Sequence, residues 1–142
     1  MDAYKQAFPK EAAEFESIVS GKFPQNWDVD LPKWKPTDKP IATRAAGGEA
    51  INAIAKHLPN PVGGSADLNP STRTALKGLG DFQSPEVSGP GTLGAVGGEW
   101  SYAGGNIAFG VREHAMAAAV NGMAARAAFY PSVRHSSHFP TT

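Results

Sequence analysis

The chain contains no cysteine, which excludes a disulfide framework, a thiolate metal site and a cysteine nucleophile. It also lacks an excess of charge: 13 Lys+Arg balance 13 Asp+Glu, so nothing attracts nucleic acid or an acidic membrane. The amino terminus has no secretory pattern, and the longest apolar helical stretch, Ala115 to Ala125, is interrupted by Asn121 and too short for a bilayer. These absences predict a cytoplasmic protein that binds neither nucleic acid nor membrane.

Glycine and proline, by contrast, are abundant. The 142 residues include 16 glycines and 12 prolines, whereas average usage is about 7% and about 5%. Four prolines fall between Pro24 and Pro40, and 12 of the glycines fall between Gly63 and Gly110. Irregular backbone concentrated in two places predicts a linker and a loop region that carries a site.

Helical periodicity first follows Pro9 and stops at Gly21, with Ala12, Phe15, Ile18 and Val19 expected on the buried side. The proline-rich segment after it favours an extended connection that crosses a protein surface.

A second helix is predicted from a Thr43 cap to about Leu58, with its buried side drawn from Ala46, Ala50, Ile54 and either Ala53 or Leu58. A short buried strand is expected at Pro61–Ser65, a second at Asn106–Val111, and a helix of small residues at Glu113–Ala125. The segment between the strands, Thr72 to Gly105, has no regular pattern. This alternation predicts an α/β domain with a mostly parallel sheet flanked by helices. Ligands of such sheets bind at the carboxyl ends of strands, so the loop after Gly64 and the Val111–His114 junction are the candidate site.

Each candidate residue in or near these loops allows more than one interpretation. Glu113 is either a helix-start acid favoured by the macrodipole or a buried carboxyl that exchanges a proton with a ligand. Arg44, in a helix first turn, either binds an anion or is satisfied by solvent or a local partner such as Glu49. Ser71 either caps a helix or donates to a phosphate. The Gly89–Gly94 match to a dinucleotide fingerprint lacks the strand and helix that such a site needs. No metal site is predicted, because His135 and His138 have no third ligand.

Taken together, several blocks resemble the transketolase family in residues, order and spacing, from about Ala7 to Phe129. The blocks are Ala42–Arg44, Leu58-Pro59, Gly63–Leu68, Asn69–Ser71, Asp81-Phe82, Phe109–Met116 and Asn121-Gly122. The stretch from Phe23 to Trp27 and the prolines after it resemble the linker between the first two domains of that enzyme.

The resemblance implies an incomplete thiamine-diphosphate-binding fold, namely the domain that holds the aminopyrimidine of the cofactor. It implies that Glu113 pairs with a ring nitrogen, that Asp67 lies near the cofactor and the subunit interface, and that Arg44 and Ser71 contact the substrate's phosphate. The implied reaction moves a two-carbon ketol unit from a ketose phosphate to an aldose phosphate, a step of the pentose phosphate pathway. The family's Mg²⁺ ligands and homodimer would belong to the full-length parent, outside this chain.

The resemblance also implies a division of the chain. Residues 1–22 would end a diphosphate-binding domain, 23–41 would be the linker, and 42–131 would be a partial pyrimidine-binding domain. Residues 132–142 bear no resemblance to the family and form an unmatched tail, which suggests a fragment with a reading-frame shift near Ala127. The alternatives are another thiamine-diphosphate enzyme, such as deoxyxylulose-phosphate synthase or dihydroxyacetone synthase, and a non-catalytic α/β binding module.

Overall fold

A parallel sheet of five strands forms the centre of the computed structural model, which describes residues 1–66, 69–87, 95–96, 100–125 and 130–134. The strands run in the order β3-β2-β4-β1-β5, and every pair is parallel. Their bounds are β1 Pro61–Ser65, β2 Asp81–Phe82, β3 Trp100–Ser101, β4 Asn106–Ala108 and β5 Tyr130–Arg134. The helices are α1 Asp2–Ala7, α2 Pro9–Val19, α3 Thr43–Ala55, α4 Asn69–Thr72 and α5 Glu113–Ala125. The predicted α/β class with a parallel sheet is confirmed.

The predictions for β1 and α5 are confirmed residue for residue. In β1, Gly64 is required because a Cβ there would overlap the carbonyl oxygen of Ile107 and press on the Phe109 ring. The backbones of β1 and β4 therefore approach more closely than a side chain at position 64 would allow.

A buried asparagine joins β4 to the segment that precedes β2. Asn106 Nδ2 donates to the carbonyl oxygens of Leu76 (2.9 Å) and Gly80 (2.8 Å), and its Oδ1 accepts from the Leu76 N–H at 2.8 Å. Leu76 is 1% exposed and Asn106 is 3% exposed. These bonds fix the segment after α4 against the sheet, although it contains no helix or strand until Asp81.

Several element boundaries differ from the sequence predictions. Ala42, not Thr43, is the N-cap of α3, and the helix ends at Ala55, three residues before Leu58. Ala53 is its one buried residue, so Ala46, Ala50 and Ile54 are only half-buried. The strand predicted to reach Val111 stops at Ala108, because Gly110 turns the chain with a φ of 65°.

Regular structure also occurs where none was predicted. The short strands β2 and β3 lie inside the segment interpreted as irregular, and α1 precedes the predicted first helix. Ser132, Val133 and Arg134, assigned to the unmatched tail, lie in β5 opposite Gly63, Gly64 and Ser65.

The helix that follows Pro9 is present, and Gly21 ends the turn after it with a φ of 66°. The predicted buried side is wrong, however, because Phe15 is 52% exposed and Val19 is 59% exposed, whereas only Ala12 is buried. The reason is that α2 packs mainly on α1.

The proline-rich segment from 23 to 41 forms turns without helix or strand, and it lies against α3 near the end of that helix. Asp30 Oδ2 is 3.0 Å from His57 Nε2, just beyond α3. The Phe23 and Trp27 rings contact each other in a tilted arrangement, with their centroids 5.0 Å apart. Within the described residues, no helix has the length and apolar character needed to cross a membrane.

Candidate functional site

Two loops begin side by side at the carboxyl edge of the sheet. Ser65 ends β1 and is paired with Ala108, which ends β4. The Phe109 N–H continues the ladder to the Ser65 carbonyl oxygen at 3.3 Å. Because the two strands are neighbours and parallel, the loop towards α4 and the loop towards α5 begin at the same edge of the sheet.

Glu113 is the first residue of α5 and follows a short, tightly bonded turn. The Arg112 N–H donates to the Gly110 carbonyl at 2.7 Å, and Arg112 Nη1 donates to the Phe109 carbonyl at 3.1 Å. One turn later, Met116 is 3% exposed, and this anchors the start of the helix in the core. The turn and this anchor hold the Glu113 backbone at the sheet edge.

The Glu113 side chain is half-buried, and no side chain or backbone group in the described part of the chain bonds to its carboxylate. The N-terminus of α5 favours a negative charge there. A partly desolvated carboxylate that has no internal partner can accept a hydrogen bond from a ligand or exchange a proton with it.

Beneath α4 lies a buried network of hydroxyl and amide groups. Thr74 Oγ1 donates to Asn69 Oδ1 at 2.7 Å, and Thr72 Oγ1 lies 3.2 Å from Thr74 Oγ1 and 3.4 Å from Ser65 Oγ. All four residues are at most 8% exposed. The network ties the short helix to the end of β1, while Ser71 remains on the exposed side of α4.

Arg44 lies in the first turn of α3 and is exposed, and its guanidinium has no ion pair or hydrogen bond within the described residues. The suggested pairing with Glu49 is therefore absent. Helices α3 and α4 contact each other, so Arg44 and Ser71 belong to adjacent elements but form no bond between them. A guanidinium and a hydroxyl so placed can both donate to a phosphate.

The structure does not describe the remaining residues that the sequence singled out. Asp67, the Gly89–Gly94 motif, His135 and His138 all fall outside the described residues. Among the residues that the structure does describe, no three His, Asp or Glu side chains come together to hold a metal ion.

Sequence reasoning missed the asparagines that organise the neighbourhood of the site. Asn106 begins a strand and Asn52 lies inside a helix, both positions that asparagine disfavours. That mismatch between residue type and element was the available signal. Asn106 bonds the Leu76 amide, 30 residues away, and Asn52 bonds the Lys77 amide, 25 residues away. No local sequence pattern predicts pairs so far apart in the chain.

Known proteins resemble the chain in both sequence and structure. The family model described as "Transketolase, pyrimidine binding domain" matches residues 39–140. The transketolase of Scheffersomyces stipitis is 44% identical over 128 residues, covering 90% of this chain and 17% of that protein. The transketolase of Geobacillus stearothermophilus is 46% identical over 122 residues, covering 86% and 16% respectively.

Solved structures give the same answer. The Pichia stipitis transketolase in complex with sedoheptulose 7-phosphate superposes with a TM-score of 0.74 at 41% identity, covering 92% of this chain and 18% of that one. The Leishmania mexicana transketolase also reaches 0.74, at 35% identity, covering 93% and 17%. The chain thus spans about a sixth of the length of the curated relatives it matches. The resemblance noted in the sequence is confirmed, and the chain belongs to the transketolase pyrimidine-binding domain family.

Proposed function

We propose that this chain supplies the pyrimidine-binding part of a transketolase, an enzyme that moves a two-carbon ketol unit between sugar phosphates. The observation that carries the proposal is the position of Glu113 beside the carboxyl edge of β1 and β4, where its half-buried carboxylate has no partner among the residues that the structure describes.

The donor set fits thiamine diphosphate, because a carboxylate free of internal bonds can pair with a ring nitrogen of an aminopyrimidine. Thiamine diphosphate, when bound, supplies the carbanion chemistry of ketol transfer. Glu113 would hold the pyrimidine in orientation and share a proton at the ring nitrogen. The bonded turn from Phe109 to Arg112 keeps that carboxylate at the sheet edge. Asp67 is proposed to lie beside the cofactor.

Arg44 and Ser71 are proposed to bind the phosphate of the sugar substrate. Both are exposed, and Arg44 has no competing carboxylate within the described residues. The Pichia stipitis enzyme has been solved with sedoheptulose 7-phosphate and with xylulose 5-phosphate, so a relative binds ligands of this class.

The remaining features of the parent enzyme are also proposals. We infer that the Mg²⁺ ligands lie outside this chain, that the parent is a cytoplasmic homodimer, and that residues 1–22 belong to a preceding domain joined by a linker at 23–41. Support for that last assignment comes from α2, whose Phe15 and Val19 are exposed and which packs mainly on α1. We also expect the isolated chain to bind thiamine diphosphate and Mg²⁺ undetectably in calorimetry, because it would hold only part of the site.

The test places residues 39–140 in the Geobacillus stearothermophilus transketolase in place of the homologous segment, and measures ketol transfer. The chimera should be active, and Glu113→Gln, which keeps the shape but cannot exchange the proton, should lower kcat about 100-fold or more. Glu49→Gln is the matched control, because Glu49 is exposed on α3 and forms no described ion pair. A folded but inactive chimera, or a Glu113→Gln variant with most of its activity, would contradict the proposal.

A further inference from the structure

Helix α3 touches the segment after α4 through a residue that has no side chain. A Cβ at Gly48 would lie 2.8 Å from both the Cβ and the carbonyl oxygen of Arg73. Arg73 itself has a φ of 59°, the left-handed region that costs a non-glycine residue about 1 kcal/mol or more. Two backbones are therefore pressed together at a point where one residue already adopts an unfavourable conformation.

Asn52, one turn further along α3, bonds the same segment. Its Nδ2 donates to the Gly48 carbonyl and to the Ala75 carbonyl, each at 2.9 Å, and its Oδ1 accepts from the Lys77 N–H at 2.8 Å. The Asn52 side-chain amide thus forms one hydrogen bond with a carbonyl of its own helix and two with backbone groups of the segment. Together, the Gly48 contact and the Asn52 bonds fix the separation of helix and segment.

These two residues share a helix face with Arg44. Positions 44, 48 and 52 are spaced by four, so they line up along α3 at intervals of about 6 Å. The segment runs in the same direction, with Arg73 beside Gly48 and then Ala75 to Lys77 beside Asn52. One turn back along α3 is Arg44, and two residues back along the segment is Ser71. The Gly48 and Asn52 contacts therefore lie directly behind the pair that is proposed to bind phosphate.

We propose that Gly48 and Asn52 are positioning residues that set the separation of Arg44 and Ser71 and thereby tune affinity for phosphorylated sugars. The inference rests on the proposed function of Arg44 and Ser71. Gly48 lets α3 approach Arg73 closely, and Asn52 prevents the helix from sliding along the segment. Neither residue touches the phosphate.

The physical consequence of adding a methyl group at Gly48 follows from the distances. Ordinary van der Waals contact begins at 3.4 Å, so the 2.8 Å approach must open by about half an ångström. The Arg73 carbonyl cannot swing aside as a flexible side chain would, so the displacement falls on the relative position of α3 and α4. A phosphate held by donors from both helices loses optimal geometry at one of them.

The experiment uses the full-length chimeric enzyme and compares a phosphorylated ketose donor with an unphosphorylated one. Gly48→Ala and Asn52→Ala should each raise KM for the phosphorylated donor about 10-fold, with kcat nearly unchanged. Neither substitution should alter KM for the unphosphorylated donor. A general loss of structure, by contrast, would change KM for both donors. Asn52→Asp keeps an acceptor for the Lys77 N–H but sets a carboxylate oxygen against the Gly48 and Ala75 carbonyl oxygens, so it should raise KM for the phosphorylated donor at least as much as Asn52→Ala does. Glu49→Ala is the control on the same helix.

The outcomes separate this inference from the function on which it rests. If Arg44→Ala leaves KM for the phosphorylated donor unchanged, the phosphate-binding assignment itself fails. If Arg44→Ala raises that KM while Gly48→Ala and Asn52→Ala do not, the assignment stands and the positioning role is wrong. Equal losses with both donors, or failure of both variants to fold, would show that the residues maintain the fold and would overturn the inference.

Discussion

Replacement of Asn106 should reveal how strongly the sheet depends on one buried amide. Asn106 forms three hydrogen bonds of 2.8 to 2.9 Å to the backbone of Leu76 and Gly80. Each bond contributes about 1 kcal/mol net, and each buried group left without a partner costs about 1–3 kcal/mol. Asn106→Ala strands the Leu76 N–H in a position that is 1% exposed. We therefore expect a loss of about 3–5 kcal/mol, a large share of the about 5–15 kcal/mol typical of a domain.

The assay is urea denaturation of the 142-residue chain followed by tryptophan fluorescence. Trp100 lies in β3, two strands from β4 in the same sheet, so its emission should report the loss of the sheet once Trp27 and Trp34, which lie outside the sheet, are replaced by phenylalanine in both parent and variant. Asn121→Ala is the matched control: Asn121 is exposed on α5, and alanine there should be neutral or slightly stabilising. A loss of less than about 1 kcal/mol for Asn106→Ala would refute the reasoning, because the three bonds would then contribute nothing net.

Asn106→Asp tests the same site with almost the same shape. The introduced carboxyl faces two carbonyl oxygens that previously accepted hydrogen bonds, and burial should raise its pKa above the ordinary value of about 3.9. A raised folded-state pKa means that the native state binds more protons, so stability falls as pH rises from about 4 through the folded-state pKa. The stability difference from the parent should therefore be larger at pH 8 than at pH 5. A difference that stayed constant or grew in acid would contradict this sign.

Four further substitutions, at three positions, test the backbone arguments by denaturation of the same chain. Gly64→Ala should destabilise by about 3 kcal/mol or more, because its methyl group overlaps the Ile107 carbonyl; Gly122→Ala, in open space on α5, should instead stabilise by about 1 kcal/mol. Equal effects at these two glycines would mean that β1 and β4 are not closely apposed. Arg73→Gly should be about 1 kcal/mol more stable than Arg73→Ala, since the φ of 59° suits glycine, and the opposite order would indicate an ordinary helical conformation.

The parts of the fold that the sequence predicts well are those defined locally. Strand β1 begins at Pro61 and contains the Gly63-Gly64 pair, and α5 is a run of small helix-forming residues that starts with an acid. Both were predicted at their observed bounds. The two-residue strands β2 and β3 are too short to have a periodicity of their own. They are defined by pairing, of Asp81 and Phe82 with Trp100 and Ser101 and of Asp81 with Asn106. Such strands cannot be read from a pattern of alternation.

The candidate site likewise combines features that local sequence predicts with features that depend on residues far away in the chain. The position of Glu113 at the sheet edge follows from the strand–helix junction, which is visible in sequence, and the neighbouring loop follows from parallel topology. The residues that set distances within the site, Gly48 and Asn52, act on partners more than 20 residues away. The prediction that Phe15 and Val19 are buried failed for a related reason. The sequence of a helix determines its apolar face, but whether that face is covered depends on the other elements that pack against it.

Helix α5 has an apolar surface that is largely uncovered, and this bears on the proposed dimer. Apart from Glu113, His114 and Asn121, its residues from Glu113 to Ala125 are alanine, glycine, valine or methionine, so it has almost no polar face. A helix that is apolar all round is normally buried on more than one side. Here Met116 is its one buried residue, and the alanines on either side of it are exposed. Small side chains also allow a second helix to approach closely. Since Glu113 begins this helix, a protein surface that covered α5 would also lie close to the carboxylate, which supports the proposed homodimer of the parent enzyme.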